Sequence, residues 1–184
     1  MKKIFVITCL SLAAIALKAQ DKFFTKSGTI KFFSKAPLEN IEASNKAVTC
    51  VFDTKTGAIQ FAVLMKGFEF AKALMQDHFN ENYVESDKYP RGEFKGQIEN
   101  ILAIDFASDA TYSVDVKGQL TIHGITKDVR AKGNIVVQGG KLVTSSDFTI
   151  LLSDFQIKIP SLVERNINNN ISINVDCTLE PLHS

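Results

Sequence analysis

The sequence predicts an all-β protein, an antiparallel sandwich or closed barrel of about eight strands, and three observations lead there. Tyr112, Val114, Val116, Leu120 and Ile122 share one parity of a single run, with Ser113, Asp115, Lys117, Gln119 and Thr121 on the other. That alternation gives a strand one oily and one wet face. It recurs at Ile59, Phe61, Val63 and Met65, at Phe148, Ile150 and Leu152, at Phe155, Ile157 and Ile159, and at Ile171, Ile173 and Val175. Second, no long crossover helix alternates with the strands, which argues against a parallel α/β sheet. Third, Gln138-Gly139-Gly140-Lys141 carries the paired glycines that a tight primed hairpin turn requires. A barrel of about eight strands is wide enough to hold one small apolar ligand.

The elements follow in chain order. Lys2 and Lys3 precede an apolar stretch from Ile4 to Leu17, and Leu17-Lys18-Ala19 approximates a small-residue cleavage signal before Gln20. Residues 1–19 therefore read as a secretory signal peptide, too short and too soon closed by Lys18 for a spanning anchor. Cys9 lies inside the apolar stretch without the small residues a lipoprotein signal would place before it, so a soluble periplasmic or secreted domain over residues 20–184 is expected. Strands are predicted over Thr29–Lys35, Ala47–Asp53, Ala58–Lys66, Gly92–Glu99, Thr111–Ile122, Lys127–Gln138, Lys141–Ser153, Phe155–Ile159 and Ile171–Glu180. Asp53–Gly57 and Ala107–Ala110 read as looser turns. Phe70, Leu74 and His78 fall at helical spacing among good helix formers, which predicts a short helix within Phe70–Phe79. Pro160–Asn169 also breaks the β rhythm, ending in the polar turn Asn168-Asn169-Asn170. The acidic stretch Asn40–Asn45 reads as a loop.

Composition narrows the function classes. The 184 residues fit one domain with a sizeable core. The full chain has 21 Lys and Arg against 20 Asp and Glu, and loss of Lys2, Lys3 and Lys18 leaves 18 against 20. Nothing in that balance invites nucleic acid. Cys50 and Cys177 remain after cleavage, both at inward parity. In an up-and-down order they flank the first strand, about 9–10 Å apart. That exceeds the reach of a disulfide, about 7 Å between Cα atoms, so free thiols are expected.

The inward residues fit either a packed core or a ligand cavity. Quantity tilts the reading toward the cavity, because fourteen Phe and no Trp, with Met65 and Met75, make a wall with few polar atoms. The candidate lumen is Phe61, Val63 and Met65 on one strand, Phe94 on the next, and Tyr112, Val114, Leu120 and Ile122 on the third. Phe148 and Ile150, then Phe155 and Ile157, complete the wall. Phe68, Phe70, Leu74, Met75 and Phe79 would close one end. A flexible apolar chain gains about 0.8 kcal/mol for each methylene buried there.

Three stretches carry a family resemblance. The first runs from Leu74 to Gly96 and takes in a His-Phe helix end, a Tyr-Pro and a Phe-bearing strand; the second is Leu-Thr-Ile-His-Gly-Ile-Thr-Lys from Leu120; the third is Asp-Phe-Gln-Ile-Lys-Ile-Pro from Asp154 to Pro160. Together they resemble the YceI-like family across nearly all of the mature chain. The resemblance implies an exported, lipocalin-like antiparallel β-barrel with one or two short helices, whose interior binds a polyisoprenoid or other long-chain lipid. The reading as a whole expects no cofactor, no catalysis and no stable membrane insertion after signal cleavage. Ser86–Gly96 and Asn40–Asn45 depart from the best-known members and point to a subgroup, and lipid length, head group and oligomeric state stay open.

Two other readings stand beside it. An enzyme would use the barrel as a hydrophobic substrate pocket with His78 or His123 as general acid or base, and an envelope adaptor would have a filled core. No HExxH, GxSxG, GxGxxG or P-loop spacing occurs, and His78, His123, Cys50 and Cys177 share no spacing suited to zinc. His123 stands at outward parity beside a turn, where its ring nitrogens would bond to backbone. His78 sits where a positive group complements a helix dipole. A phosphate head group would call for cations at the mouth, for which Lys72, Lys88, Arg91, Lys127 and Arg165 are candidates.

Overall fold

The computed structural model describes residues 21–163 and 165–182; the signal segment read at residues 1–19 lies outside them. Among the described residues nine strands form one antiparallel sheet: β1 (Lys22–Lys35), β2 (Asn40–Asp53), β3 (Ala58–Leu64), β4 (Glu69–Phe70), β5 (Arg91–Ile98), β6 (Ala110–Ile122), β7 (Ile125–Gln138), β8 (Lys141–Leu151) and β9 (Asn170–Pro181). The order β1-β9-β8-β7-β6-β5-β3-β2 is closed by pairing of β1 with β2, and the two-residue β4 adds to β2 at Ala43 and Ser44. Eight strands thus make a closed barrel, the second of the two architectures the alternation allowed.

Up-and-down connectivity puts alternate turns at opposite ends. One end carries the 53–58 and 138–141 turns, the 98–110 loop and both termini of the barrel strands. The other carries the 35–40 and 122–125 turns and two long segments, 65–90 and 152–169. The 65–90 segment contains helix α1 (Ala73–His78), continued by a π-helical turn over Phe79–Tyr83. We call these the closed end and the cap end. Both tight hairpins rest on left-handed pairs: Gly139 and Gly140 at φ 56° and 76°, and His123 and Gly124 at φ 52° and 72°.

The first hairpin changes parity midway. Phe23 and Thr25 are buried, the chain bulges, and from there Gly28 and Ser34 are buried instead; on β2 Ala43 and Asn45 give way to Val48, Cys50 and Phe52. Asn45 holds this irregularity. It is buried, accepts from the Ala47 N–H at 2.9 Å and donates to the Leu64 carbonyl at 2.9 Å. A bulge strengthens local twist and re-aims side chains, which here lets a long hairpin follow the barrel's curve.

Two expectations are corrected. Asn40–Asn45 is not a loop but the first half of β2. Phe155–Ile159 is not a strand, because the chain turns through a 3-10 turn over Leu152–Phe155 and Gln156 then adopts φ 56°, which breaks an extended run. Its alternation arises because Phe155 and Ile157 both fold back into the core. Pro160–Asn169 does break the β rhythm, its described residues including a 3-10 turn over Ser161–Val163.

The inward residues form two clusters. At the closed end Phe23, Cys50, Phe52, Ile98, Leu142 and Leu179 pack against one another, roofed by Ile101, Ile104 and Phe106. At the cap end Val63, Met65, Phe68, Leu120, Ile150 and Ile171 line the wall. Cys50 and Cys177 are free and buried. The Cys177 sulfur fills the space a side chain at Gly28 would take, 2.4 Å from an ideal Cβ. The two thiols hydrogen-bond each other, and that contact together with burial pushes the Cys50 thiol far up, so it stays protonated.

Candidate lipid-binding cavity

Between the closed-end cluster and the cap lies a cavity of about 480 Å³, within the span of about 300–1,000 Å³ typical of small-molecule sites. Its floor is set by Ile59, Ile98, Val114 and Ile135 and its walls by Phe61, Val63, Leu120, Ile150 and Ile173. Phe94 owes its position to two glycines. Its ring tip lies where Cβ atoms of the paired Gly96 and Gly118 would stand, 2.4 and 2.7 Å from those ideal positions, so the ring lies along the wall rather than across the lumen.

The cap is aromatic. Phe32 of β1 meets Phe68, Phe70 and Phe79 at ring-centroid separations of 5.4, 5.7 and 5.5 Å, and Phe79 touches Phe68 and Phe70 in turn. Such tilted, edge-on and stacked contacts fit the aromatic quadrupole and hold four rings together without a hydrogen bond. Leu74 and Met75 of α1, with His78, border the cavity beside them. The titratable residues on the lining, Glu39, Lys72, His78, Tyr83 and Glu93, belong to the cap-end portions of their elements. Lys72 pairs with Glu39 at 2.5 Å. Burial pushes the Tyr83 phenol up, which keeps it neutral. At depth the wall is mostly hydrocarbon, with Asn134, Thr144, Ser145 and Ser146 its polar residues; the buried Thr144 hydroxyl has no hydrogen-bond partner.

A model of the YceI-like domain matches residues 11–179. The chain belongs to the YceI-like family. Solved structures agree at the level of fold. A polyisoprenoid binding domain from Saccharophagus degradans implicated in plant cell wall breakdown is 12% identical, aligns over 89% of this chain and 100% of its own, and gives a TM-score of 0.76. BcnA of Burkholderia cenocepacia is 17% identical over 83% of this chain and 95% of its own, with a TM-score of 0.66. The YCEI protein of Campylobacter jejuni is 17% identical over 97% of both chains, with a TM-score of 0.60. A search of curated protein sequences finds no match.

In this YceI-like barrel the residues proposed from the sequence come together around the cavity, with two exceptions. Tyr112 faces inward but at the closed end, below the floor, where its hydroxyl donates to the Asp105 carbonyl at 3.2 Å. Phe155 is buried in the cap-end core without bordering the cavity, because the 3-10 turn that carries it packs against the wall. Ile30 and Phe32 were missed, although both line the cavity. The bulge on β1 resets parity ahead of them, and the adjacent Phe32 and Phe33 leave a reader of the sequence no way to choose which ring faces in.

His123 lies outside the cavity and bonds to backbone, but across the fold rather than within its own turn. Its Nδ1 contacts the Phe155 carbonyl oxygen at 3.1 Å, its Nε2 contacts Glu85 Oε2 at 2.6 Å, and Tyr89 meets its ring edge-on at 4.6 Å. The hydrogen bond from His123 is the main reason the Glu85 carboxyl sits below the usual carboxylate range. Glu85, His123 and Gln156 are the non-glycine residues with positive φ among the described residues, at 45°, 52° and 56°. All three stand where the 65–90 segment, the 122–125 turn and the 152–169 segment are tied together.

Proposed function

We propose that this protein is an exported carrier that sequesters a polyisoprenoid or similar long-chain amphiphilic lipid in the barrel. The observation that carries this reading is the 480 Å³ cavity, mostly hydrocarbon-walled and bordered by ionisable groups only toward the cap. Such a cavity suits a flexible apolar chain, whose burial is favourable in proportion to the area removed from water. The name of the Saccharophagus degradans domain supports the choice of lipid class, and the tripartite N-terminus supports export. An enzyme would need at least two convergent titratable groups at a reacting atom; His123 and its partners Glu85 and Tyr89 do not border the cavity, and His78 and the other titratable lining residues border it only toward the cap, so its depth carries no such pair, which favours binding over catalysis.

Mass spectrometry of organic extracts from protein purified out of its own envelope is the direct test, and it should show a long-chain isoprenoid in about stoichiometric amount. Protein that arrives without lipid and leaves a fluorescent polyprenyl analogue unbound would return the adaptor reading. N-terminal sequencing of the same material should begin near Gln20.

A further inference from the structure

Three large apolar side chains carried by the cap-end segments are left in water. Leu38 is 61% exposed, Leu74 65% and Leu162 94%. They come from three separate segments that the fold stitches side by side. The Leu38 N–H donates to the Arg165 carbonyl at 3.3 Å, joining the 35–40 turn to the segment that carries Leu162. The neighbouring Glu39 pairs with Lys72 at 2.5 Å, joining the same turn to the start of α1, two residues before Leu74. The patch is continuous with the cavity, since Glu39, Lys72, Leu74, Val163 and Asn166 all line it. Its surroundings carry a small excess of positive charge: residues 35–39, 72–78 and 158–165 contain Lys35, Lys72, Lys158 and Arg165 against Glu39, Asp77 and Glu164.

We propose that Leu38, Leu74 and Leu162 dock the cap end of the barrel onto an anionic lipid bilayer, so that the cavity loads and unloads where its ligand resides. This rests on the lipid-binding reading above. Leucines surrounded by Lys and Arg match a bilayer interface, where apolar side chains enter the acyl boundary while long cationic side chains reach the head groups. Attachment is peripheral and by the barrel's end: no helix of the described residues is long and apolar enough to cross a membrane, and the barrel's outward parity is polar, as Ser113, Asp115, Lys117 and Gln119 of β6 show.

The test is flotation of the purified protein with vesicles of phosphatidylethanolamine and phosphatidylglycerol, for the wild type and for the double variant Leu38→Glu/Leu162→Glu. Neither residue lines the cavity. The wild type should float with the vesicles, less so at high salt. The double variant should float at least about tenfold less, since burial of even one leucine carries that much affinity. Both should bind a short, water-soluble polyprenyl analogue equally in the absence of vesicles. Leu38→Ser/Leu162→Ser provides the same comparison if the glutamates prevent folding. A wild type that stays out of the vesicle fraction, or a double variant that floats as well as the wild type, overturns the proposal. So does a wild type that ignores vesicles but dimerises through these leucines, shown by sedimentation equilibrium and lost in the variant. If vesicles are bound but the analogue is not, the docking surface stands and the lipid-cavity reading falls.

Discussion

The same inward alternation of Phe, Ile, Val and Leu runs the length of the barrel, yet the two ends use it differently. At the closed end Phe52, Leu142 and Leu179 interdigitate with almost no exposure, and Phe106 from the 98–110 loop comes within 5.9 Å of the Phe52 ring. At the cap end side chains of the same kinds stand apart around a cavity, and four Phe rings gather above it instead of filling it. Composition does not make this difference. The connections do: the closed end is bridged by short turns and one apolar loop that packs inward, whereas the cap end is spanned by segments 65–90 and 152–169, which arch across the opening. One half of the barrel supplies stability and the other supplies space.

The largest expected effect separates these roles directly. Phe52→Ala removes a fully buried ring from the closed end and should destabilise the protein by about 3–5 kcal/mol, the usual range for deleting a core aromatic. Phe70→Ala deletes a half-buried cap ring. It should cost well under that in denaturant unfolding while weakening binding of a polyprenyl analogue measurably. Equal destabilisation by the two changes would mean that the cap is as much core as the floor, and the comparison would break.

A smaller effect probes the boundary. Val114 belongs to the closed-end cluster and also borders the cavity. In Val114→Phe the added ring has the cavity to enter, so apo stability should change by less than the roughly 1–3 kcal/mol that overpacking costs in a filled core. The ring would occupy ligand space, and analogue affinity should fall. A full overpacking penalty on thermal unfolding of the delipidated protein would show that the floor lies higher than the cavity's outline indicates.

How much of this was legible beforehand differs between the halves in the same way. Regular strands such as β6 announce their inner face by parity, so Val114, Leu120 and Ile122 were placed on the lumen from sequence alone. Parity fails wherever a bulge inserts residues, which is why Phe32 escaped notice. It also says nothing of depth along the barrel, and so Tyr112, correctly inward, was placed in a cavity that ends above it. The short helix within Phe70–Phe79 was readable from its 3.6-residue spacing, although its π-helical continuation to Tyr83 was not. Long-range ties were invisible altogether: no spacing in the chain says that residue 123 meets residues 85 and 155.

That tie gives the smallest and most local prediction. His123→Ala removes the ring contacts to the Phe155 carbonyl, Glu85 and Tyr89 and should lower stability by about 1 kcal/mol, the order of a single hydrogen bond. The loss should be concentrated at the cap: amide exchange should quicken around residues 84–90 and 152–157 and stay unchanged across the closed-end cluster. The acid side of the pH profile reports the same contact. The Glu85 carboxyl is held below its ordinary value chiefly by the His123 hydrogen bond, with Lys88 adding to it. A carboxyl depressed in the folded state binds fewer protons there than in the unfolded chain, so its contribution is fully present above the unfolded value of about 4.3 and is lost as pH falls through the lower folded value. Glu85→Gln should therefore flatten the decline of cap protection in that acidic window and leave it unaltered at neutral pH and above. A decline of unchanged slope in the variant would assign the acid sensitivity of the cap to other carboxylates, and the loosening in His123→Ala would then rest on the Phe155 carbonyl and the Tyr89 ring alone.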